Sequence, residues 1–257
     1  MGLSFNRKSV GVAGSIGIGS VTSIGPGVQH FFSDDKVLIV NEGVWTETTN
    51  VPASTMMKIP KSYTVEEAAC LPSILAAYNI LNNTVKLVSG DTVLQTSGES
   101  AIGSAVAEVG KAMGLNVINV TTAQLEDVKF IDKMKGSVKL AICGSAKKSA
   151  TKSLLRSLGD YGTMVVYQGP IESLENIDGV EIPVSASIFK FVNVMGFNFQ
   201  TWASTDLVGY KAAVEAVTGM VETKKISLKN VKSFAFPDYA AAFATVETTG
   251  GMAVLKM

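Results

Sequence analysis

Between Ser89 and Val120 the spacing of apolar positions switches from strand to helix and back. A turn at Ser89, Gly90 and Asp91 leads into a short apolar strand, Thr92 to Gln95, and then a glycine loop. Ile102, Ala105, Val106, Val109 and Met113 follow at steps of three and four, which lays them on one face of a helix. Gly114 stands where a helix ends, and Asn116 to Val120 reads as a second strand. Upstream, Ser9 to Val40 is β-branched and broken by glycines, so it predicts short strands with turns such as Ile24 to Gly27. Thr64 followed by Glu66 and Glu67 marks a helix start; Ile74, Ala77, Tyr78 and Leu81 form its packing face, and Pro72 divides it.

Downstream, Leu125, Val128, Ile131 and Met134 predict one amphipathic helix, and Val138 to Cys143 a buried strand. A helix, a glycine turn and the strand Thr163 to Tyr167 come next, then a helix-to-strand step and a helix beginning at Leu207. The tail from Ile226 mixes strand and helix. Alternating strands and helices over residues 71–225 predict a doubly wound, Rossmann-like α/β unit with a parallel sheet. Residues 1–70 and 226–257 are expected to form a β-rich unit in which the two chain ends pair.

Composition narrows the functional classes. Lys plus Arg and Asp plus Glu both number 22, so nothing favours a nucleic-acid surface, which needs clustered cationic excess. Charged residues make up 17% of the chain, against an ordinary share of about 25%. No apolar run reaches the ~20 residues of a membrane span, so the surplus apolar surface is expected to meet other proteins. Cys70 and Cys143 read as free, buried thiols in a reducing compartment. A single histidine, His30, beside Phe31 and Phe32, supports neither a zinc site nor a Ser/His/Asp triad. The N-terminus is poor in acids but too short for a presequence, and Asn6 fails the myristoylation pattern.

The glycine loop carries the candidate chemistry. In a dinucleotide fold the first glycine makes the turn, the second lets the backbone approach a pyrophosphate, and the third lets helix and strand pack. Here Gly98 and Gly103 hold the outer places, Ser100 fills the middle one, and Glu99 sets a negative charge where a helix N-terminus would attract an anion. Thr121 and Thr122 stand where an acid would take a ribose hydroxyl or an Arg a 2′-phosphate.

Several separated segments resemble the medium-chain dehydrogenase/reductase superfamily, and most closely its mitochondrial trans-2-enoyl thioester reductases. They are Gly14 to Val28, Gly43 to Glu47, Met56 to Pro72, Gly162 to Gly169, Gly196 to Trp202 and the closing Val254 to Met257. The resemblance implies a GroES-like unit beside the Rossmann-like one, and NADPH-dependent reduction of a 2-enoyl thioester assisted by a tyrosine. It adds Gly169 to Gly98, Ser100, Gly103 and Thr121 as degenerate cofactor-binding positions. The family's tyrosine segment precedes the position of Gly14, so the GroES-like unit is expected to be truncated, and a family lysine corresponds to Met252. The seventeen residues between Val120 and Val138 cannot hold helix, strand and helix, so one sheet strand should be lacking. These departures predict a non-catalytic subunit of a larger mitochondrial assembly, without cofactor, whose partner subunits cover exposed sheet edges. The alternative is an active NADPH-dependent enoyl reductase or quinone oxidoreductase in which Tyr78 or Tyr63 acts as the acid.

Overall fold

In the computed structural model, residues 11–144, 148–167, 182, 184–226, 231–249 and 251–257 are described. The glycine-punctuated start forms an antiparallel sheet of β1 (Ile16–Ser20), β2 (Lys36–Val40) and β3 (Met56–Lys58), with β2 in the middle. Gly14, at φ +91°, carries the Trp45 indole directly on its Cα, and any Cβ there would overlap the ring.

Helix α1 (Val65–Asn83) starts at Thr64, whose hydroxyl accepts from the Glu67 amide at 3.1 Å while the Glu67 carboxylate accepts from the Thr64 amide at 2.7 Å. Pro72 does not divide it; the helix is continuous through Asn83. Burial explains this correction: Ala68, Leu71, Ile74, Leu75, Ala77, Ile80 and Leu81 are all buried, on every side of the helix. That packing outweighs the roughly 3 kcal/mol that an interior proline costs. The predicted four-residue face is therefore too narrow, and Tyr78 is the half-buried member.

The following elements are β4 (Thr92–Gln95), α2 (Ala101–Ala112), β5 (Asn116–Asn119), α3 (Thr122–Glu126), α4 (Val128–Met134), β6 (Val138–Cys143), α5 (Lys148–Ser157) and β7 (Leu158–Val166). Then come α6 (Val184–Lys190), β8 (Asn193–Gly196), α7 (Phe199–Thr205) and α8 (Leu207–Glu222). Strands β5-β4-β6-β7-β8 make one parallel sheet in that order, five strands among the described residues. Period-two alternation sorts its side chains. Val93, Leu140, Ile142 and Val165 join the core under α1, α2 and α8, and Leu94, Ala141, Cys143 and Met164 join the core that α5 covers with Leu154 and Leu155. Helices thus cover both faces, as the doubly wound pattern requires.

Among the described residues β5 has β4 as its one neighbour, so their sheet ends where a further strand would lie. The interval before β6 folds into two short helices instead of the one predicted. Asp127 ends α3 and caps the next, accepting from the Lys129 amide at 2.9 Å, and Val128 turns outward, 58% exposed. There is also no separate glycine turn before Thr163, because β7 runs from Leu158 and absorbs the glycines in a register shift.

At the end of the chain, β9 (Val231–Ala235), α9 (Tyr239–Thr249) and β10 (Met252–Lys256) form a two-stranded parallel unit. It does not pair with the N-terminal sheet among the described residues, contrary to expectation. The two end segments meet through side chains instead. Trp45 and Phe243 rings lie 6.0 Å apart, and Glu66 of α1 takes the Lys256 ammonium at 2.5 Å together with the Ser233 hydroxyl.

Candidate functional site

From β4 the chain crosses to β5 on one side, while β6 lies on the other, so the carboxyl end of β4 is the point where strand order reverses. Ligands of open α/β sheets lie in the crevice at such a point. Here the crevice is a cavity of about 420 Å³ lined by Thr96, Ser97, Gly98 and Glu99 after β4, and by Asn119, Thr121, Leu125 and Glu126 around the end of β5.

The loop is held from below. Thr96 accepts from the Gly144 amide at 2.8 Å. Gln95, fully buried, donates through Nε2 to the Gly103 carbonyl at 2.9 Å and to Asn119 Oδ1 at 2.6 Å, while its Oε1 has no partner. Asn119 in turn lies against Gly98, in the space a Cβ would take. Gly103 packs directly on the Ser97 carbonyl and Gly98 Cα, so it serves the close helix–strand approach expected of the third glycine.

Ser100 is the N-cap of α2, its hydroxyl 3.0 Å from the Gly103 amide and 3.1 Å from the Tyr167 hydroxyl. Capping accounts for the third-residue amide, and the first-turn amides of Ala101 and Ile102 remain without partners inside the helix. Tyr167 lies over Gly144 beside Ser97. Burial pushes its phenol above the ordinary range, partly countered by the Ser100 bond, so it is a neutral O–H at physiological pH.

Gly98 and Thr121 line the crevice, while Ser100 and Gly103 hold its loop from the start of α2. Thr121 lines the cavity, but its hydroxyl caps α3 with Gln124. Gly169 lies outside the described residues. Tyr78 and Tyr63 do not belong to the crevice. Tyr78 packs from α1 against the main core. Tyr63 is buried beside Thr218 and Glu222 of α8, where burial first and the Glu222 charge second raise its pKa. A second cavity, about 270 Å³, lies on the α1 side, lined by Cys70, Ser73, Ser104, Ile226 and Met252, and shares the Gly98 and Asn119 wall with the first.

Gln95, Asn119, Glu126 and Tyr167 were not visible as site residues in the sequence. The available signals were a fully polar residue closing an apolar strand at Gln95 and a tyrosine closing another at Tyr167. The start of α2, whose Ala101 lines the second cavity, carries the first-turn amides that a dinucleotide's pyrophosphate takes in folds of this kind. The described lining of the crevice holds two carboxylates, Glu99 and Glu126.

No protein-family model matches the chain. It is 27% identical over 281 residues to the mitochondrial enoyl-[acyl-carrier-protein] reductase of Dictyostelium discoideum, covering 95% of this chain and 77% of that protein. The enzyme of the same name from Xenopus tropicalis is 30% identical over 219 residues, 74% of this chain and 61% of that one. Among solved structures, the Etr1p/NADP/crotonyl-CoA complex superimposes with a TM-score of 0.82 at 20% identity, over 96% of this chain and 80% of that one. A Pseudomonas syringae pv. Tomato DC3000 quinone oxidoreductase gives 0.79 at 19% identity, over 95% and 82%.

Proposed function

We propose that this chain, a relative of the enoyl thioester reductases of the medium-chain dehydrogenase/reductase superfamily, is a mitochondrial oxidoreductase that reduces a 2-enoyl thioester with a reduced nicotinamide dinucleotide. One observation carries the reading: a crevice lies at the switch point of the parallel sheet, bounded by the glycine loop that leads into α2. The dinucleotide would supply the hydride. The chain's own part is to bind and orient it, with Gly98 at the wall and Ser100 and Tyr167 fixing the loop. Neither Tyr78 nor Tyr63 lines the crevice. Residues 71–225 would bind the dinucleotide, with 1–70 and 226–257 beside them. The mitochondrial assignment follows the names of the relatives.

The second reading is a non-catalytic subunit of a larger protein assembly. It is favoured by the unpaired edge of β5 and by exposed Ile188, Phe189 and Phe191 beside β8, at the other edge of the sheet. Titration of the purified chain with a reduced dinucleotide, followed by addition of a 2-enoyl thioester, separates the two. Saturable micromolar binding with thioester-dependent oxidation supports the reductase. The absence of any binding at millimolar dinucleotide, with co-migration in a large complex, supports the subunit.

A further inference from the structure

We propose that the packed helices α4 and α5 present a cationic face that docks the chain on an anionic lipid surface. The inference is independent of the dinucleotide reading, since it concerns the outer side of these helices and not the crevice.

The chain balances 22 basic against 22 acidic residues, but not locally. Eight of the 22 bases fall between Lys129 and Arg156, with Asp132 the single acid in that stretch. The fold lays them side by side. The Ser153 hydroxyl donates to the Leu125 carbonyl at 2.7 Å, Arg156 meets Asp132 at 3.6 Å, and the Gly136 amide donates to the Ser157 carbonyl at 3.0 Å, so α3 and α4 run along α5 in the same direction. Both helices turn apolar residues inward, Ile131 from α4 and Ala150, Leu154 and Leu155 from α5. Outside stands one ladder per helix at a spacing of four, Lys129 with Lys133 and Lys152 with Arg156, all four exposed, and Lys135 is exposed just beyond.

Helix stability does not account for this arrangement. Lys133 and Arg156 stand in the last turns, where a cation complements the helix dipole. Lys129 stands in a first turn, where the dipole disfavours it, and like charges four apart weaken a helix. The Arg156–Asp132 pair, with both side chains about half exposed, offsets little of that repulsion.

The chemistry of the face selects its occupant. A single-stranded nucleic acid would be met by exposed aromatic side chains among the cations, whereas Phe130 packs against the core. A partner with fixed carboxylates calls for Arg forks, but four of these five exposed cations are lysines, point charges on flexible stems that can follow a fluid layer of headgroups. Helix α5 has the basic amphipathic pattern of a membrane-surface helix. Its apolar side is buried in the core, so the attachment is electrostatic and reversible.

The test is flotation of the full chain with vesicles of phosphatidylcholine alone and of about two parts phosphatidylcholine to one part phosphatidylserine. At about 0.05 M salt the anionic vesicles should bind at least about tenfold more protein than the neutral ones, and about 0.5 M salt should abolish the difference. Lys129→Gln and Lys152→Gln should each weaken that binding about fivefold, and about twenty-five-fold together, without lowering the melting temperature. Lys211→Gln with Lys225→Gln, exposed on and just after α8 at the opposite face of the sheet, removes the same charge and should change binding by less than about twofold. Equal binding to neutral vesicles, no binding to anionic ones, unchanged binding without Lys129 and Lys152, or an equal loss in the α8 pair overturns the inference. Capture by polyglutamate without vesicle binding overturns it too, and assigns the face to an acidic protein.

Discussion

Tyr167 and Ser100 are 67 positions apart, and their hydroxyls meet at 3.1 Å where β7 and α2 converge. The bond links the fourth strand of the sheet order to the loop of the second, so its loss should be felt in the loop before the core. Tyr167→Phe should lower stability by about 1 kcal/mol and weaken dinucleotide binding more than it shifts the denaturation midpoint; chemical denaturation and a binding titration measure the two. Cys70 tests burial at the same scale, since its thiol is pushed up to about 11, first by burial and then by Glu67. At pH 8 it should react with iodoacetamide about a hundredfold more slowly than an unperturbed cysteine, and denaturant should restore the rate. Ser100 was marked in the sequence by its place in the glycine pattern and not as the cap it forms. Tyr167, Gln95 and Asn119 were not, because each acquires its role from a contact made across the sheet, and a chain read in order shows only local spacing.

The elements that sequence resolved are those whose signals lie within one turn or one strand. The capping box at Thr64, the apolar stripe of α2 and the left-handed Gly114 that ends its turn, φ +74°, all sit where the pattern placed them. The failures have tertiary causes: α1 continues past Pro72 because it is buried all round, and Asp127 splits the next helix because it can cap one. Gly103 marks an element boundary with no room for a side chain. Gly103→Ala would press a methyl into the Ser97 carbonyl and Gly98 backbone, so β4 and α2 would have to separate. A loss of at least about 2 kcal/mol, in the range of severe packing defects, should appear in thermal denaturation together with loss of nucleotide binding. The tie between α1 and the C-terminal strands depends on pH. Hydrogen bonds from Lys256 and Ser233 hold the Glu66 carboxyl down at about 2, from an ordinary 4.5. With the folded value depressed, the tie contributes fully above about pH 4.5 and is lost as pH falls toward 2. Amide hydrogen exchange in β9 and β10 should therefore accelerate selectively over that interval, and Glu66→Gln should remove the pH dependence.

At the scale of the whole molecule, the sheet was legible because a fixed order of strand and helix admits few topologies, and the lacking strand because too few residues separate β5 from β6. What the order could not reveal was how the two chain ends associate: they touch through Trp45, Phe243 and Glu66 without sharing a ladder, since side-chain docking leaves no periodic trace. That architecture makes the two functional readings separable by one global measurement. The crevice draws its walls from the loop after β4 and from β5, α3 and α5, so a ligand seated there ties these elements together and favours the folded state by mass action. At a hundredfold excess over its dissociation constant, a ligand adds about 2.7 kcal/mol. For a chain of this size each kcal/mol corresponds to roughly 2–4 °C, so the melting temperature should rise by about 5–10 °C. A reduced nicotinamide dinucleotide should produce that rise. An assembly subunit would behave otherwise: its melting point would ignore the nucleotide, and its stability would depend on whatever pairs with the open edge of β5 and covers Phe189 and Phe191 beside β8.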